Sequence, residues 1–286
     1  MKWQGRRGSR NIEDRRSSGS KAAVGGVGGL GLLAILAIGY FLGIDVTPLL
    51  EGTQSIPSGQ IGGQTVEITE ADERAAQFVS VTLADTEEIW TEVFAEQLGG
   101  EYIPPILVLY KGVTQSPCGS ASGATGPFYC PSDQKVYLDT DFFTTMERQL
   151  GAGGDFAEAY VVAHEVAHHV QNELGILGQA NAYRAKASEA ESNAVSVMIE
   201  LQADCFSGIW AKKADEKFGS LERGDIREAL NAAKQIGDDT LQKNAGRVPQ
   251  PHTFTHGTSE QRQRWFATGY KTGDLNACDT FSADRL

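Results

Sequence analysis

His164 and His168 stand four residues apart in an otherwise apolar run, and this spacing constrains the chain more than any other feature. Tyr160, Val161, Val162, Ala163, Val166, Ala167 and Val170 surround them. Such a run, too long for one strand, predicts a buried helix. At 3.6 residues per turn both imidazoles then lie on one face, one above the other. Two histidines in so apolar a helix need partners for their ring nitrogens. One shared metal ion meets that need, and Glu165 between them projects to the side where a metal-bound water would sit.

A third ligand has to come from elsewhere in the chain. Glu200 and Asp204 are also four apart, among Ile199, Leu201, Ala203, Phe206, Ile209 and Trp210. A carboxylate in such surroundings is costly unless it meets a cation or a donor. Glu200 is therefore the expected third ligand. Asp204 is expected to accept from the distal ring nitrogen of a ligating histidine, His164, which fixes that ring's tautomer. Glu189 and Glu191 are rival third ligands, but neither is followed by an aspartate four residues on. His256, in the loop Thr255-His256-Gly257-Thr258, is the candidate donor to an oxyanion; capping or packing of that loop is the alternative. His252 is a weaker competitor. His169 lies well round the helix from His164 and reads as a structural histidine.

Residues 22–44 carry no charge over 23 positions. A helix of that length spans about 30 Å, the thickness of a bilayer core. Residues 1–21 hold seven basic and two acidic side chains. The charge bias predicts a cytoplasmic tail at 1–21, a single transmembrane helix at 22–44 and an extracytoplasmic remainder in a bacterial inner membrane. A cleaved signal peptide and a buried soluble helix are the rival readings. Residues 45–68, rich in Gly, Pro, Ser, Gln and Thr, read as a linker to a domain at 69–286.

The chain has formal charge −12; the tail contributes +5, leaving −17 for residues 22–286. Such an acidic domain repels nucleic acid, so no nucleic-acid partner is expected. Four cysteines fit an oxidising compartment. Cys118 and Cys130 bracket a loop of small residues whose closure contributes roughly 3 kcal/mol, and Cys205 and Cys278 remain as the other pair. Four cysteines allow three connectivities, so spacing alone leaves the pairing open.

The rest of the chain reads as mainly α with a small β portion. Apolar spacing predicts helices over about 71–98, 155–173, 187–217, 225–243 and 259–268. Asp225 with Glu228, and Thr258 with Gln261, resemble helix-start caps. Residues 106–110 and 135–139 are short strand candidates, expected to pair antiparallel against the helices.

The HExxH and later ExxxD pattern is similar to zincins with a glutamate third ligand. Nearly the whole chain resembles the putative neutral zinc metallopeptidase family of bacteria. The stretches that carry the likeness are MKWQGRRGSRNIEDRR, YCPSDQKVYLD, AHEVAHHVQ, LQADCFSGIW and THGTSEQRQRW. The resemblance implies a membrane-anchored, zincin-like metallopeptidase domain that holds Zn2+ and acts on a peptide or protein substrate. Glu165 would be the general base and His256 a catalytic donor. The alternative is a membrane-tethered zinc protein that binds a partner without cutting it.

Overall fold

The computed structural model of the chain describes residues 1–17, 67–122 and 126–286. At its centre is the apolar helix α3 (Asp155–Glu173), buried on nearly every side from Phe156 to Gln171. The preceding helices are α1 (Glu70–Val93), which runs into a π-turn at Phe94–Leu98, and α2 (Asp141–Arg148). A short α4 (Ile176–Arg184) then leads to the long α5 (Glu189–Phe218). Helices α6 (Asp225–Gln235), α7 (Asp238–Asn244) and α8 (Ser259–Thr272) follow. Helix α5 packs across α3, and α8 packs along α5. The described part is mainly helical with a small sheet, as the sequence pattern implies.

Polar residues at the helix starts explain why the elements begin where they do. Thr69 with Asp72, Ser188 with Glu191 and Thr258 with Gln261 each form a reciprocal capping box, satisfying two backbone N–H groups that a helix start leaves open. The expected cap at Asp225 with Glu228 is corrected. Gly224 is the cap residue there; Asp225 accepts from the Glu222 backbone N–H, and Glu228 accepts from that of Phe156. The helix expected over 225–243 is two helices. A β-carbon at Gly237 would lie 2.4 Å from the Ser259 backbone nitrogen, so the chain bends there against the start of α8.

Strand β1 (Ile12–Asp14), β2 (Ile106–Tyr110), β5 (Phe128–Cys130) and β6 (Lys135–Asp139) form one sheet in the order β1-β2-β6-β5. Strands β3 (Val113–Ser116) and β4 (Gly119–Ser122) form a separate hairpin. The expectation that 106–110 and 135–139 pair antiparallel is corrected: they run parallel, with Leu107 opposite Val136. Parallel strands need a long crossover, and residues 111–134 provide it. Strand β5 then returns antiparallel to β6, with Tyr129 opposite Val136. Disulfides join Cys118 to Cys130 and Cys205 to Cys278.

The expected separation of a basic tail from the domain is also corrected, for residues 1–17. Strand β1 pairs parallel to β2, with Ile12 opposite Leu107 and Asp14 opposite Leu109. Trp3 is buried with its ring edge-on to Phe78. The Arg6 guanidinium donates to both Asp85 carboxylate oxygens at 2.7 and 2.6 Å, and Arg16 donates to the Asp72 carbonyl oxygen. The Met1 amino group lies 2.9 Å from Asp155 and within 3.3 Å of Asp225, at the starts of α3 and α6. Arg6 and Arg7 are thus matched to the α1 carboxylates Asp85 and Glu88, while Arg15 and Arg16 pair first with Glu13 and Asp14 of the segment itself. Among the described residues no helix is long and apolar enough to cross a membrane. The span expected at 22–44, and the linker as far as residue 66, lie outside the described residues.

Candidate active site

The face of α3 that carries Tyr160, His164 and His168 meets the face of α5 that carries Glu200 and Asp204. The Nε2 atom of His164 lies 3.0 Å from Glu200 Oε2, and that of His168 lies 3.5 Å from Glu200 Oε1. One ligand atom from each of the three residues can be chosen with all within 4.8 Å of one another. Four ligands about 2.0–2.2 Å from a tetrahedral zinc stand about 3.3–3.6 Å apart. The spacing and the two-imidazole, one-carboxylate donor set therefore fit a zinc ion that keeps one position open.

The other ring nitrogen of each histidine is engaged. His164 Nδ1 lies 3.0 Å from Asp204 Oδ1. His168 Nδ1 lies 2.9 Å from Gln171 Oε1. The Gln171 amide nitrogen donates to the Ile199 carbonyl at 2.8 Å and to Gln202 Oε1 at 3.0 Å, which turns its oxygen toward His168. The Gln202 amide in turn donates to the Cys278 carbonyl oxygen. Both imidazoles are thereby held with Nδ1 facing an acceptor and Nε2 facing the shared point, the arrangement in which Nε2 can ligate.

Asp204 is fully buried, and three donors converge on it: His164, the Tyr160 hydroxyl and Arg262 of α8. Burial pushes the Asp204 carboxyl up, but Arg262 and His164 outweigh this and hold it below the usual carboxylate range. Glu165 is 8% exposed and lines the cavity onto which His164, His168 and Glu200 also face. Burial raises its carboxyl above the ordinary value, with His168 and His164 pulling against that rise. A raised carboxyl is a better proton acceptor than an exposed glutamate.

His256 lies on the same cavity, held by a segment that the sequence did not single out. Asp238 Oδ2 accepts the backbone N–H groups of Thr255, His256 and Gly257 at 2.8, 2.7 and 3.0 Å. Its Oδ1 lies 3.3 Å from His256 Nδ1. Gly257, at φ 91°, makes the turn that an L side chain would resist. Packing around the His256 ring lowers its pKa, and the carboxylates of Asp238 and Glu200 more than offset this.

The cavity measures about 470 Å³. His164, Glu165, His168, Glu200, His256 and Arg262 line its polar side; Phe128, Tyr129, Phe142, Leu177, Ile236 and Leu241 contribute apolar surface. Strand β5 borders it and has no strand on its outer edge among the described residues.

The rival residues lie elsewhere. Glu191 is spent on the capping box at the start of α5, and Glu189 is exposed beside it. His169 is buried between the Tyr129 hydroxyl and the Ile103 carbonyl oxygen, at 3.2 and 2.7 Å. Burial lowers its pKa, as expected of a neutral structural ring. His252 sits exposed on a short 3-10 turn. Tyr160, Gln171, Gln202, Asp238 and Arg262 are supporting residues that sequence reasoning misses. Arg262 has a detectable signal: with Trp265, Phe266 and Gly269 it falls on the buried stripe of α8.

A sequence profile described as "Putative neutral zinc metallopeptidase" matches residues 1–281. The chain is 47% identical over 291 aligned residues to "Uncharacterized protein YpfJ" of Escherichia coli K12, covering 98% of this chain and 99% of that one. It is 45% identical over 222 residues to "Uncharacterized protein Rv2575" of Mycobacterium tuberculosis H37Rv, covering 74% of each. No solved structure gives a significant match. With its HEVAH helix and the facing glutamate inside the matched region, the chain belongs to the putative neutral zinc metallopeptidase family.

Proposed function

We propose that this protein hydrolyses peptide bonds with a zinc ion held by His164, His168 and Glu200. The observation that carries the reading is Glu165. It is not needed as a ligand, yet it is buried at the cavity wall between the two histidines, where a general base has to stand. When bound, zinc supplies a Lewis acid that polarises the scissile carbonyl and lowers the pKa of a water. Glu165 takes the proton from the attacking water and passes it to the leaving amine. His256, oriented by Asp238, donates to the carbonyl oxygen as negative charge develops there. Asp204 and Gln171 hold the two imidazoles in the ligating tautomer.

The substrate is a peptide or protein. An extended segment laid along the open edge of β5 would present its backbone to the site and an apolar side chain to Phe128, Phe142 and Leu177. That arrangement favours cleavage within a chain. The acidic surface argues against nucleic acid. The two disulfides support an extracytoplasmic domain, and residues 22–44 remain the proposed membrane contact. A binding-only zinc protein would have no use for Glu165 or for an open cavity.

The test is Glu165→Gln in the full chain. Zinc content should match that of wild type, and hydrolysis of a fluorogenic peptide with an apolar residue beside the scissile bond should drop about 10²–10⁴-fold. A Glu165→Gln protein that cuts as fast as wild type would sink the mechanism.

A further inference from the structure

We propose that Arg262, on a helix that supplies no ligand, is a positioning residue for the zinc site, acting through Asp204 on His164. The inference rests on the zinc reading above and extends it to a third helix.

The guanidinium is 2% exposed and grips Asp204 with two arms. Its Nε donates to Asp204 Oδ2 at 2.8 Å and its Nη2 to Oδ1 at 3.0 Å. Nη2 also lies 3.3 Å from the Tyr160 hydroxyl, and Nη1 donates to the Ile236 carbonyl at 3.3 Å. A two-armed contact fixes the plane of a carboxylate as a single donor cannot. That plane determines whether Oδ1 meets His164 Nδ1, and so where the His164 Nε2 lone pair is aimed. Tyr160 on α3 binds the same oxygen, so Tyr160 and His164 from α3, Asp204 from α5 and Arg262 from α8 close one network.

Arg262 is itself placed by rigid means. A β-carbon at Gly208 would lie 2.1 Å from the Phe266 carbonyl oxygen, and one at Gly269 would lie 1.8 Å from that of Cys205. The backbones of α5 and α8 are thus in contact, and the register between them is fixed on the stretches flanking Asp204 and Arg262. Arg262 borders the cavity, but its guanidinium is held in place there by Asp204, the Tyr160 hydroxyl and the Ile236 carbonyl. Its charge also offsets that of Asp204 in a site that must already accept Glu200, so the carboxylate can be buried without leaving an unpaired charge.

A purely structural arginine would lower stability and leave the metal geometry alone; a positioning residue changes the metal site itself. The experiment measures zinc affinity of the full chain by competition with a chromophoric chelator, and the visible absorption of the cobalt-substituted protein, for wild type, Arg262→Lys and Arg262→Met. Thermal unfolding of the metal-free forms reports on the fold. Arg262→Met should lose about 10-fold in zinc affinity, the lower end of the roughly 10–100-fold cost of losing the histidine's own outer partner, which here is Asp204. Arg262→Lys, which keeps the charge but offers no second arm, should fall between the two and shift the cobalt spectrum. If Arg262→Met does not fold, Arg262→Lys decides. Zinc affinity within about threefold of wild type and an unchanged cobalt spectrum in a folded variant would overturn the proposal, since His164 would then be aimed without the arginine. A wild-type chain that binds no zinc would overturn the metal reading, and this proposal with it. One that binds zinc but cuts no peptide would overturn only the proposed hydrolysis.

Discussion

Gly269 of α8 approaches Cys205 of α5 so closely that a β-carbon on the glycine would lie 1.8 Å from the cysteine's carbonyl oxygen. Cys205 directly follows Asp204, so this contact sits beside the carboxylate that orients His164. It also sets the helix whose start carries the His256 loop. Gly269→Ala cannot be accommodated by a side-chain rotation, because the clash is with backbone. The variant should lose at least about 1–3 kcal/mol of stability, the usual cost of overpacking, read as a lower Tm. A methyl group at Gly178 in α4 would meet no atom within 4 Å, so Gly178→Ala should be neutral or stabilising by up to about 1 kcal/mol. Equal melting of the two variants would remove the argument for close helix contact.

Asp72 gives a stability prediction that depends on pH. Its buried carboxylate caps α1, accepts from Lys111 Nζ at 2.8 and 2.9 Å, and accepts from Thr140 Oγ1 at 2.7 Å. Burial alone would push this carboxyl up, but Lys111, Thr69 and Thr140 together hold it well below the usual range. A depressed folded-state pKa contributes stability that is complete above the unfolded value, near pH 4, and is lost as pH falls toward the folded value. Asp72→Asn should therefore cost about 1.5–3 kcal/mol at pH 7. Its deficit relative to wild type should shrink steadily below about pH 4. Denaturant unfolding across the range from neutral to strongly acidic pH measures this, and a deficit that grows on acidification would reverse the assigned sign.

Removing zinc should be coupled to proton uptake. Both ring nitrogens of His164 lie 3.0 Å from a carboxylate oxygen, Asp204 on one side and Glu200 on the other. Without an ion between them, the ring can donate to both only as an imidazolium. Burial opposes that charge, but the two carboxylates outweigh it and raise the His164 pKa to about 10. Zinc binding at neutral pH must then release a proton from Nε2, and affinity should rise with pH by up to about tenfold per unit. Calorimetric titration of the metal-free chain in buffers of different ionisation enthalpy measures the release. No proton release at neutral pH would show that His164 is not held as an imidazolium in the metal-free chain.

The helical part of the fold is legible because its signals are local. The i,i+4 histidines and the apolar residues around them mark the whole extent of α3, and Thr258 with Gln261 marks the start of α8. His164, His168, Glu200 and Asp204 can be brought together from spacing because each pair shares a helix face. What stays hidden depends on contacts between segments distant in sequence. Strands β2 and β6 read correctly as apolar runs, yet their parallel pairing follows from the path of residues 111–134, which periodicity does not describe. Helices α2 and α4 span only eight and nine residues and carry too few turns for a periodic signal. Gln171, Gln202, Asp238 and Arg262 are polar residues whose role appears only once their partners are known. The charge of residues 1–17 reads as a membrane-side bias in the sequence, whereas in the fold Arg6 pairs with Asp85, Arg16 with Asp14 and the Met1 amino group with Asp155.

The N-terminal segment makes the topology testable. Ile12–Asp14 is hydrogen-bonded to β2, and Arg6, Trp3 and Arg16 are anchored on α1. Strands of one sheet cannot lie on opposite faces of a bilayer, so residues 1–17 and the domain from 67 onward should share one side. This differs from what the charge bias alone predicts, with the segment inside and the domain outside. Arg10 and Arg285 are both exposed, one in each part. Cysteines placed there singly, in the full chain in intact cells, can be labelled with a membrane-impermeant maleimide. Both should react, given the disulfides that favour an oxidising side. If both react only after the cells are permeabilised, the shared side stands but lies inside. Labelling of Arg285→Cys but not Arg10→Cys before permeabilisation would mean that β1 leaves the sheet in the membrane-bound protein.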